Sequence, residues 1–223
     1  MLLIQAAYSY GKIIKLVKEI LPDQAWELLD SDNAAIVDVR APIDFGAGHP
    51  NAAFSIPYSA KGLSERLQIF VDLSQPIICL TSNDEETAGC EAQLTNSFSY
   101  LGVIQDGISG WIDSSLPLTK VEDLSIDQLS DSMIDTDLIL LDVREQIEWE
   151  MGYVPGATLI SLSDIGIRNN ELDKDRTIAV ICEAGIRSST AASILQRAGF
   201  KYVVNVIDGT AGYRSNDLPL NYK

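Results

Sequence analysis

The chain has 223 residues, a hydrophobic content of 46% and a formal net charge of −16 at pH 7, so it can form one large or two small globular domains. Its pI is near 4.3, and an acidic protein is repelled by a phosphate backbone, which excludes nucleic acid as an expected partner. No apolar run approaches the roughly 18–20 residues that a bilayer span needs, so no membrane partner is expected either.

The three cysteines and the single histidine restrict the chemistry further. An odd and low cysteine count argues against a disulfide framework and favours a reducing compartment, so we expect a cytoplasmic protein. One histidine and scattered cysteines also fail to provide a ligand set for zinc.

The first residues are apolar but do not have the pattern of a signal peptide, because no basic stretch precedes the apolar one and no cleavage site follows it. The apolar residues between positions 13 and 21 recur at helical spacing. We interpret residues 1–20 as an N-terminal extension or docking helix rather than a membrane anchor.

An internal repeat organises the rest of the chain. The segment AAIVDVR at 34–40 resembles LILLDVR at 138–144, and both read as a buried strand that ends in Asp-Val-Arg. Downstream, SFSYLGVIQDGISGW at 97–111 resembles GFKYVVNVIDGTAGY at 199–213. Each unit is therefore about the length of one small domain.

The repeat sets the domain boundaries at residues 21–118 and 122–223. In the second unit, short apolar strands alternate with helical stretches. We predict strands at 138–143, 158–161, 177–182 and 202–207, and helices near 125–133, 145–150 and 188–198. This alternation indicates an α/β fold, in which each unit has a small, mostly parallel sheet flanked by helices.

Cys182 lies at the end of the predicted strand 177–182. This is the carboxyl edge of the sheet, where α/β folds bind ligands. A short loop with Gly185 then leads into a helix. Main-chain N–H groups in such a loop, together with the helix N-terminus, stabilise an anion and favour the thiolate form of the cysteine. Arg187 adds positive charge, either to bind the anion or to pair with an acidic group. Glu183 acts against the anion, and we expect it to turn towards solvent.

The second unit resembles the rhodanese homology domain over almost all of residues 122–220. The pieces that carry the resemblance are Asp142-Val143-Arg144, Gly152-Tyr153-Val154-Pro155-Gly156-Ala157, Cys182–Ser189, Ala198-Gly199-Phe200 and Asp208–Tyr213. With the internal repeat, the resemblance implies two tandem rhodanese-like domains and sulfurtransferase activity in the second.

The resemblance implies a covalent cycle in which Cys182 takes a sulfane sulfur from a small donor and passes it to a thiol or protein acceptor. The persulfide would be held by the loop residues Glu183, Ala184, Gly185, Ile186, Arg187 and Ser188, with Asp142 and Arg144 in support. It implies no metal and no organic cofactor. Thiosulfate is one candidate donor and another persulfide is the other. Glu183 stands where the family commonly has a basic or small residue, which weakens the case for dianionic thiosulfate.

The first unit has Thr81 where the second has Cys182, and its loop continues with the acidic run Asp84-Glu85-Glu86. Cys79 lies two residues earlier, inside the strand, and Cys79 and Cys90 both read as core residues. Residues 23–118 carry 14 acidic and 3 basic residues, which disfavours a sulfur anion. We therefore expect the first unit to be catalytically inactive, with a structural role or a protein partner that binds its acidic surface.

Arg40, Arg144 and His49 are each expected to have structural roles. Two other functions stay open at this stage. A phosphatase of the related cell-cycle type has five residues between its cysteine and arginine, whereas four separate Cys182 from Arg187 here. A non-catalytic binding or regulatory module is the other alternative.

Overall fold

The first unit is built around a parallel sheet whose central strands are short and buried. The computed structural model describes residues 18–132 and 137–222. The strands of this unit are β1 (Glu19–Ile20), β2 (Ala35–Asp38), β3 (His49–Pro50), β4 (Phe54–Ser55), β5 (Pro76–Leu80), β6 (Ser99–Ile104) and β7 (Leu118–Thr119). Its helices are α1 (Pro22–Asp30), α2 (Pro42–Ala47), α3 (Leu63–Leu67), α4 (Asp84–Leu94) and α5 (Gly107–Asp113).

The main sheet of the first unit has the order β1-β6-β5-β2-β4, and all its strand pairs are parallel. Both faces of β2 and β5 are buried because helices cover the sheet, as is usual for all-parallel sheets. Strands β3 and β7 form a separate antiparallel pair. This pair connects the C-terminal end of the first unit to the segment that follows α2.

The second unit repeats this arrangement. Its strands are β8 (Glu122–Leu124), β9 (Leu138–Asp142), β10 (Thr158–Leu159), β11 (Thr177–Ile181) and β12 (Val203–Val206), in the parallel order β10-β9-β11-β12-β8. Its helices are α6 (Ile126–Ser132), α7 (Gln146–Glu150), α8 (Ile165–Arg168), α9 (Ile186–Arg197) and α10 (Gly209–Ser215), with a 3₁₀ turn at Asn169–Glu171. The predicted tandem α/β architecture is confirmed. None of the described helices combines the length and apolar character that a bilayer span requires.

The elements predicted in the second unit begin and end within two residues of the predicted positions, and two differences from the sequence predictions affect the interpretation. Helix α9 begins at Ile186 instead of 188, because Gly185 adopts a left-handed conformation and ends the loop there. Glu19–Ile20 form strand β1 and pair with β6, so the helical interpretation is wrong at these two positions. Residues 1–17, which complete the predicted docking helix, lie outside the described residues.

Helix α9 joins the two units, because it packs against β4 of the first unit as well as against its own sheet. The main-chain N–H of Ser55 donates to Oγ of Ser193 at 3.0 Å, and Oγ of Ser55 lies 2.8 Å from Oγ of Ser189. All three serines are buried. Buried aliphatic residues from both units belong to one continuous core cluster around this contact.

The C-terminal end of α9 extends the contact with polar groups. Gln196 donates to the carbonyl of Lys120 at 2.8 Å, and its Oε1 lies 3.1 Å from Nε2 of His49. Arg197 stacks over the ring of Phe54, with its guanidinium carbon 4.0 Å from the ring centre. The helix that follows the Cys182 loop is therefore fixed along most of its length by the first unit.

Candidate functional site

Cys182 follows the last residue of β11, a central strand between β9 and β12. Its side chain is only 1% exposed. The hydroxyl of Ser188 donates a hydrogen bond to the thiol sulfur at 3.3 Å. The thiol therefore lies at the floor of the loop that connects β11 to α9.

Two glycines allow the loop to close tightly over its neighbours. Gly185 has a φ of +79°, and a Cβ at this position would lie 2.6 Å from the carbonyl oxygen of Ile207. Gly209, at the start of α10, has a φ of +60°, and a Cβ there would overlap the carbonyl of Glu183. Both positions therefore need glycine, for conformation and for space.

The loop is anchored through its carbonyl groups. The N–H of Thr210 donates to the Cys182 carbonyl at 2.7 Å, and the N–H of Ala211 donates to the Glu183 carbonyl at 3.0 Å. Within residues 18–132 and 137–222, the N–H groups of residues 183–185 donate to no main-chain carbonyl. Those of residues 186–188 belong to the first turn of α9, where N–H groups have no intrahelical acceptor. The loop thus has N–H groups available for an anion.

Arg187 forms a two-pronged ion pair with Glu148 of α7, with N···O distances of 2.6 and 2.8 Å. The hydrogen bonds from Arg187 hold the pKa of Glu148 below its usual range. Glu148 also accepts the N–H of Glu145 at 3.0 Å and caps its own helix. Of the two roles left open for Arg187, the structure shows the partnership with an acidic group.

The Glu183 side chain is 42% exposed, so it faces solvent as expected, but it is held there by partners. Thr210 donates to one of its carboxylate oxygens at 2.8 Å, and Arg214 pairs with the other. Partial burial raises the pKa of Glu183. The hydrogen bonds from Arg214 and Thr210 lower it by more than burial raises it, so the pKa lies below its usual value. The negative charge beside Cys182 is therefore neutralised by α10, a contact that the sequence did not reveal.

Asp142 and Arg144 form a buried ion pair at the end of β9. Arg144 donates to both carboxylate oxygens, with the closest N···O distance at 2.7 Å, and its guanidinium also donates to the Gly152 carbonyl at 2.9 Å. Asp38 and Arg40 repeat the arrangement in the first unit. In each unit, the arginine of the Asp-Val-Arg motif thus holds the chain after the next helix, at Gly48 or Gly152, against the end of the strand. This agrees with the structural roles expected for Arg40 and Arg144.

The corresponding loop of the first unit is filled by its own side chains. Thr81 follows β5 as Cys182 follows β11, but α4 begins three residues later and α9 four. The Asn83 side chain accepts the N–H of Glu86 at 3.0 Å, and the Glu86 carboxylate accepts the N–H of Ser82 at 2.6 Å. The Glu86 carboxylate and the Asn83 side-chain oxygen therefore each occupy one N–H group that an external anion would use.

The other two cysteines lie inside elements of the first unit, Cys79 in β5 and Cys90 in α4. Cys79 and Cys90 are fully buried and free of disulfides. The hydrogen bond with Cys90, together with burial, raises the pKa of Cys79 well above its usual value and keeps it a neutral thiol. Their prediction as core residues agrees with this placement.

His49 is also a structural residue, as expected. Its ring stacks on Phe45 at a centroid distance of 3.6 Å, and its Nδ1 lies 2.8 Å from the Phe45 carbonyl. Burial lowers the pKa of His49 to about 4, although its two hydrogen-bonding contacts act in the opposite direction. The ring is therefore neutral near pH 7.

A cavity of about 280 Å³ opens beside the Cys182 loop, and its walls are Arg144, Glu148, Met151, Glu183 and Arg214. A larger cavity of about 580 Å³ lies at the loop of the first unit, between Arg40, Thr81 and Asp106. No cysteine lines either cavity. Cavity size therefore does not identify the reactive site.

Comparisons with known proteins agree with the repeat. The model of the Rhodanese-like domain family matches residues 21–114 and 125–216. A Bacillus subtilis protein provisionally named sulfur carrier protein YrkF is 41% identical over 96 residues, which are 43% of this chain and 50% of that protein. A sulfurtransferase of Allochromatium vinosum is 32% identical over 101 residues, which are 45% of this chain and 94% of that protein.

Among solved structures, a rhodanese-like domain protein from Staphylococcus aureus is 28% identical with a TM-score of 0.43, and it matches 46% of this chain and 99% of its own. Each of these three matches covers less than half of the present chain. The chain also spans only half the length of the Bacillus subtilis protein.

Proposed function

Because the chain belongs to the family of rhodanese-like domains, of which it contains two in tandem, we propose that its second unit transfers sulfane sulfur through a persulfide on Cys182. Relatives named as sulfurtransferases support a role in sulfur transfer at the level of the family. The proposal adds the reacting residue and the covalent intermediate.

One observation carries the proposal. Cys182 is the one cysteine of the three that stands at the carboxyl end of a strand and under a loop with unused N–H groups. Such a loop, followed by the N-terminus of α9, stabilises a negative charge on sulfur. All three cysteines belong to the same buried core cluster, but Cys79 lies inside β5 and Cys90 inside α4, so neither is followed by such a loop.

The chemistry has two steps. The Cys182 thiolate attacks the terminal sulfur of the donor, the sulfur–sulfur or sulfur–sulfonate bond of the donor breaks, and the donor leaves with the electron pair. A thiophilic acceptor then attacks the outer sulfur of the Cys182 persulfide and regenerates the thiolate. With thiosulfate the leaving group is sulfite, and with cyanide as acceptor the product is thiocyanate.

The surrounding residues have distinct roles in this proposal. The N–H groups of residues 183–188 hold the persulfide anion, and Ser188 donates to the inner sulfur. Because Cys182 is only 1% exposed, the donor must present a small terminal sulfur atom to reach the thiol. Asp142 and Arg144 act indirectly, by fixing the end of β9 beside β11.

The first unit holds no persulfide in this proposal and serves as the support for α9. Two N–H groups of its loop, those of Ser82 and Glu86, already donate to side chains of the same loop. A protein acceptor that binds its acidic surface is compatible with this role. Transfer to a protein thiol then occurs at Cys182, on the second unit.

Sulfur transfer from thiosulfate, mercaptopyruvate and a small persulfide to cyanide tests the function directly. We expect thiocyanate formation by the wild type and by Cys90→Ala, and none by Cys182→Ala. Hydrolysis of p-nitrophenyl phosphate that depends on Cys182, without sulfur transfer, would contradict the proposal in favour of a phosphatase. Neither activity, and no sulfur adduct on Cys182, would favour a non-catalytic binding module.

A further inference from the structure

Every arginine around the Cys182 loop is already paired with a carboxylate of the chain. Arg144 pairs with Asp142, Arg187 with Glu148 and Arg214 with Glu183. These six formal charges cancel. The anion of Cys182 is accommodated by main-chain N–H groups, so the arginines have no unbalanced charge to attract an anionic donor.

The nearby surface adds further negative charge. Glu145, the N-cap residue of α7, is exposed three residues before the paired Glu148. The charge of Glu145 contributes to the raised pKa of Arg187, which places it within electrostatic range of the loop. The side-chain charges nearest to Cys182 therefore cancel, and that of Glu145, further out, is negative. An approaching dianion is repelled rather than attracted.

The same rim exposes apolar side chains. Met151 lines the cavity beside the loop and is 69% exposed. Ile186 adjoins Arg187 at the start of α9, and it is half exposed. Apolar groups at the rim of a reactive site favour a donor that carries an apolar or uncharged body.

We propose that Glu148 and Glu183 determine the donor specificity of this site, by neutralising Arg187 and Arg214 so that an uncharged or apolar persulfide is used in preference to thiosulfate. This inference rests on the proposed function and deepens it. The donor class is a persulfide R–S–SH in which R carries little charge and packs on Met151 and Ile186.

The step balances without any other reactant. The Cys182 thiolate attacks the terminal sulfur of R–S–SH, a new sulfur–sulfur bond forms, and the sulfur–sulfur bond of the donor breaks. R–S⁻ leaves with the electron pair and takes the proton from the transferred sulfur. The products are the Cys182 persulfide anion and the thiol R–SH.

The ratio of kcat/KM for two donors tests the proposal, with cyanide as the common acceptor. The donors are thiosulfate and the persulfide of N-acetylcysteine amide, whose body is uncharged. In the wild type we expect the persulfide to be the better donor. Glu148→Gln keeps the shape of the side chain and frees the charge of Arg187, so we expect kcat/KM for thiosulfate to rise roughly fivefold to tenfold relative to the persulfide. Glu183→Gln, which frees Arg214, should act in the same direction.

Glu150→Gln is the matched control, because it removes the same charge from the same helix two residues away, on another face. We expect its donor ratio to stay within about twofold of the wild type. The gain in Glu148→Gln should also diminish as salt is added.

Different results would contradict the specificity inference and the proposed function. If the wild type transfers sulfur through Cys182 but prefers thiosulfate, or if the donor ratio is unchanged in both Glu148→Gln and Glu183→Gln, the specificity inference is wrong and the sulfurtransferase remains. If no donor loads Cys182 in any of the folded proteins, the proposed function itself is wrong.

Discussion

The hydroxyl of Ser188 donates to the sulfur of Cys182 at 3.3 Å, across the loop that separates β11 from α9. This hydrogen bond is stronger when the sulfur is anionic, because bonds to charged groups contribute more than neutral ones. Ser188→Ala should therefore slow sulfur loading of Cys182 about tenfold. It should also slow the time course of Cys182 alkylation by iodoacetamide at a fixed pH.

The control for this change is Ser215→Ala, which removes an exposed hydroxyl in α10 that bonds only to its own helix at 2.9 Å. Its alkylation time course should match that of the wild type. An unchanged time course in Ser188→Ala would show that the hydroxyl packs beside the thiol without stabilising its anion.

The buried serine contact between the units provides a second prediction. Ser55→Ala leaves the hydroxyl of Ser189 without this partner, at a place where both side chains are at most 2% exposed. Loss of a buried hydrogen bond with one partner left behind costs about 1–3 kcal/mol in the free energy of unfolding. Urea denaturation of Ser55→Ala, Ser189→Ala and the double variant forms a double-mutant cycle.

In that cycle we expect a coupling of about 1 kcal/mol between the two positions. We also expect the sulfur-transfer rate to fall in the single variants, because α9 carries the first turn of the loop. Additive effects on stability, with a coupling near zero, would contradict a direct contact between the units.

The sequence predicted the parts of this fold that depend on local pattern. The two Asp-Val-Arg segments marked the ends of β2 and β9, because each is a short aliphatic run closed by polar residues. The reactive position could be read from Cys182 and Gly185, since a strand, a short loop and a helix follow one another in the chain. The boundary of α9 was displaced by two residues, because propensity alone does not show that Gly185 ends the loop.

Contacts between distant parts of the chain could not be predicted. Glu148 lies 39 residues before Arg187, and Arg214 lies 31 residues after Glu183, so no local pattern connects either pair. The partners of the exposed Glu183 side chain were not predicted for this reason. Likewise, the Ser55–Ser189 contact depends on how the two units pack, which repeat spacing does not specify.

The buried pair of Arg144 and Asp142 should be essential for stability. Arg144→Ala leaves a carboxylate with no exposed surface and without its charged partner, and such changes cost about 3–5 kcal/mol. Thermal or urea denaturation measures this loss. Arg168→Ala is the matched control, because it breaks an exposed ion pair with Glu171 that is expected to have little effect. Similar losses in the two variants would contradict the assignment of Arg144 as the anchor of this turn.

His49 should make the stability depend on pH below neutrality. Its pKa is about 4 in the folded protein and near 6.5 in an unfolded chain, so between these values the unfolded state binds more protons. Its contribution is therefore complete above about pH 6.5 and is lost as the pH falls towards 4. Between about pH 7.5 and about pH 5.5, the free energy of unfolding should decrease by about 1 kcal/mol because of this group.

The same pH series with His49→Gln isolates the effect, because the chain has no other histidine. The variant should be less stable at neutral pH but should lack this part of the pH dependence. Identical slopes in the two proteins would show that His49 is not held neutral in the folded state.

The most direct test of the central claim is mass spectrometry of the intact protein and of its cysteine peptides after treatment with a sulfane sulfur donor. We predict one added sulfur atom, located on Cys182 and removed by cyanide. The variant Cys182→Ser/Thr81→Cys, which places the thiol at the corresponding position of the first unit, should gain none, because Glu86 and Asn83 occupy those amides. Sulfur on Cys79 or Cys90, or no adduct on Cys182 of the folded wild type, would contradict the account.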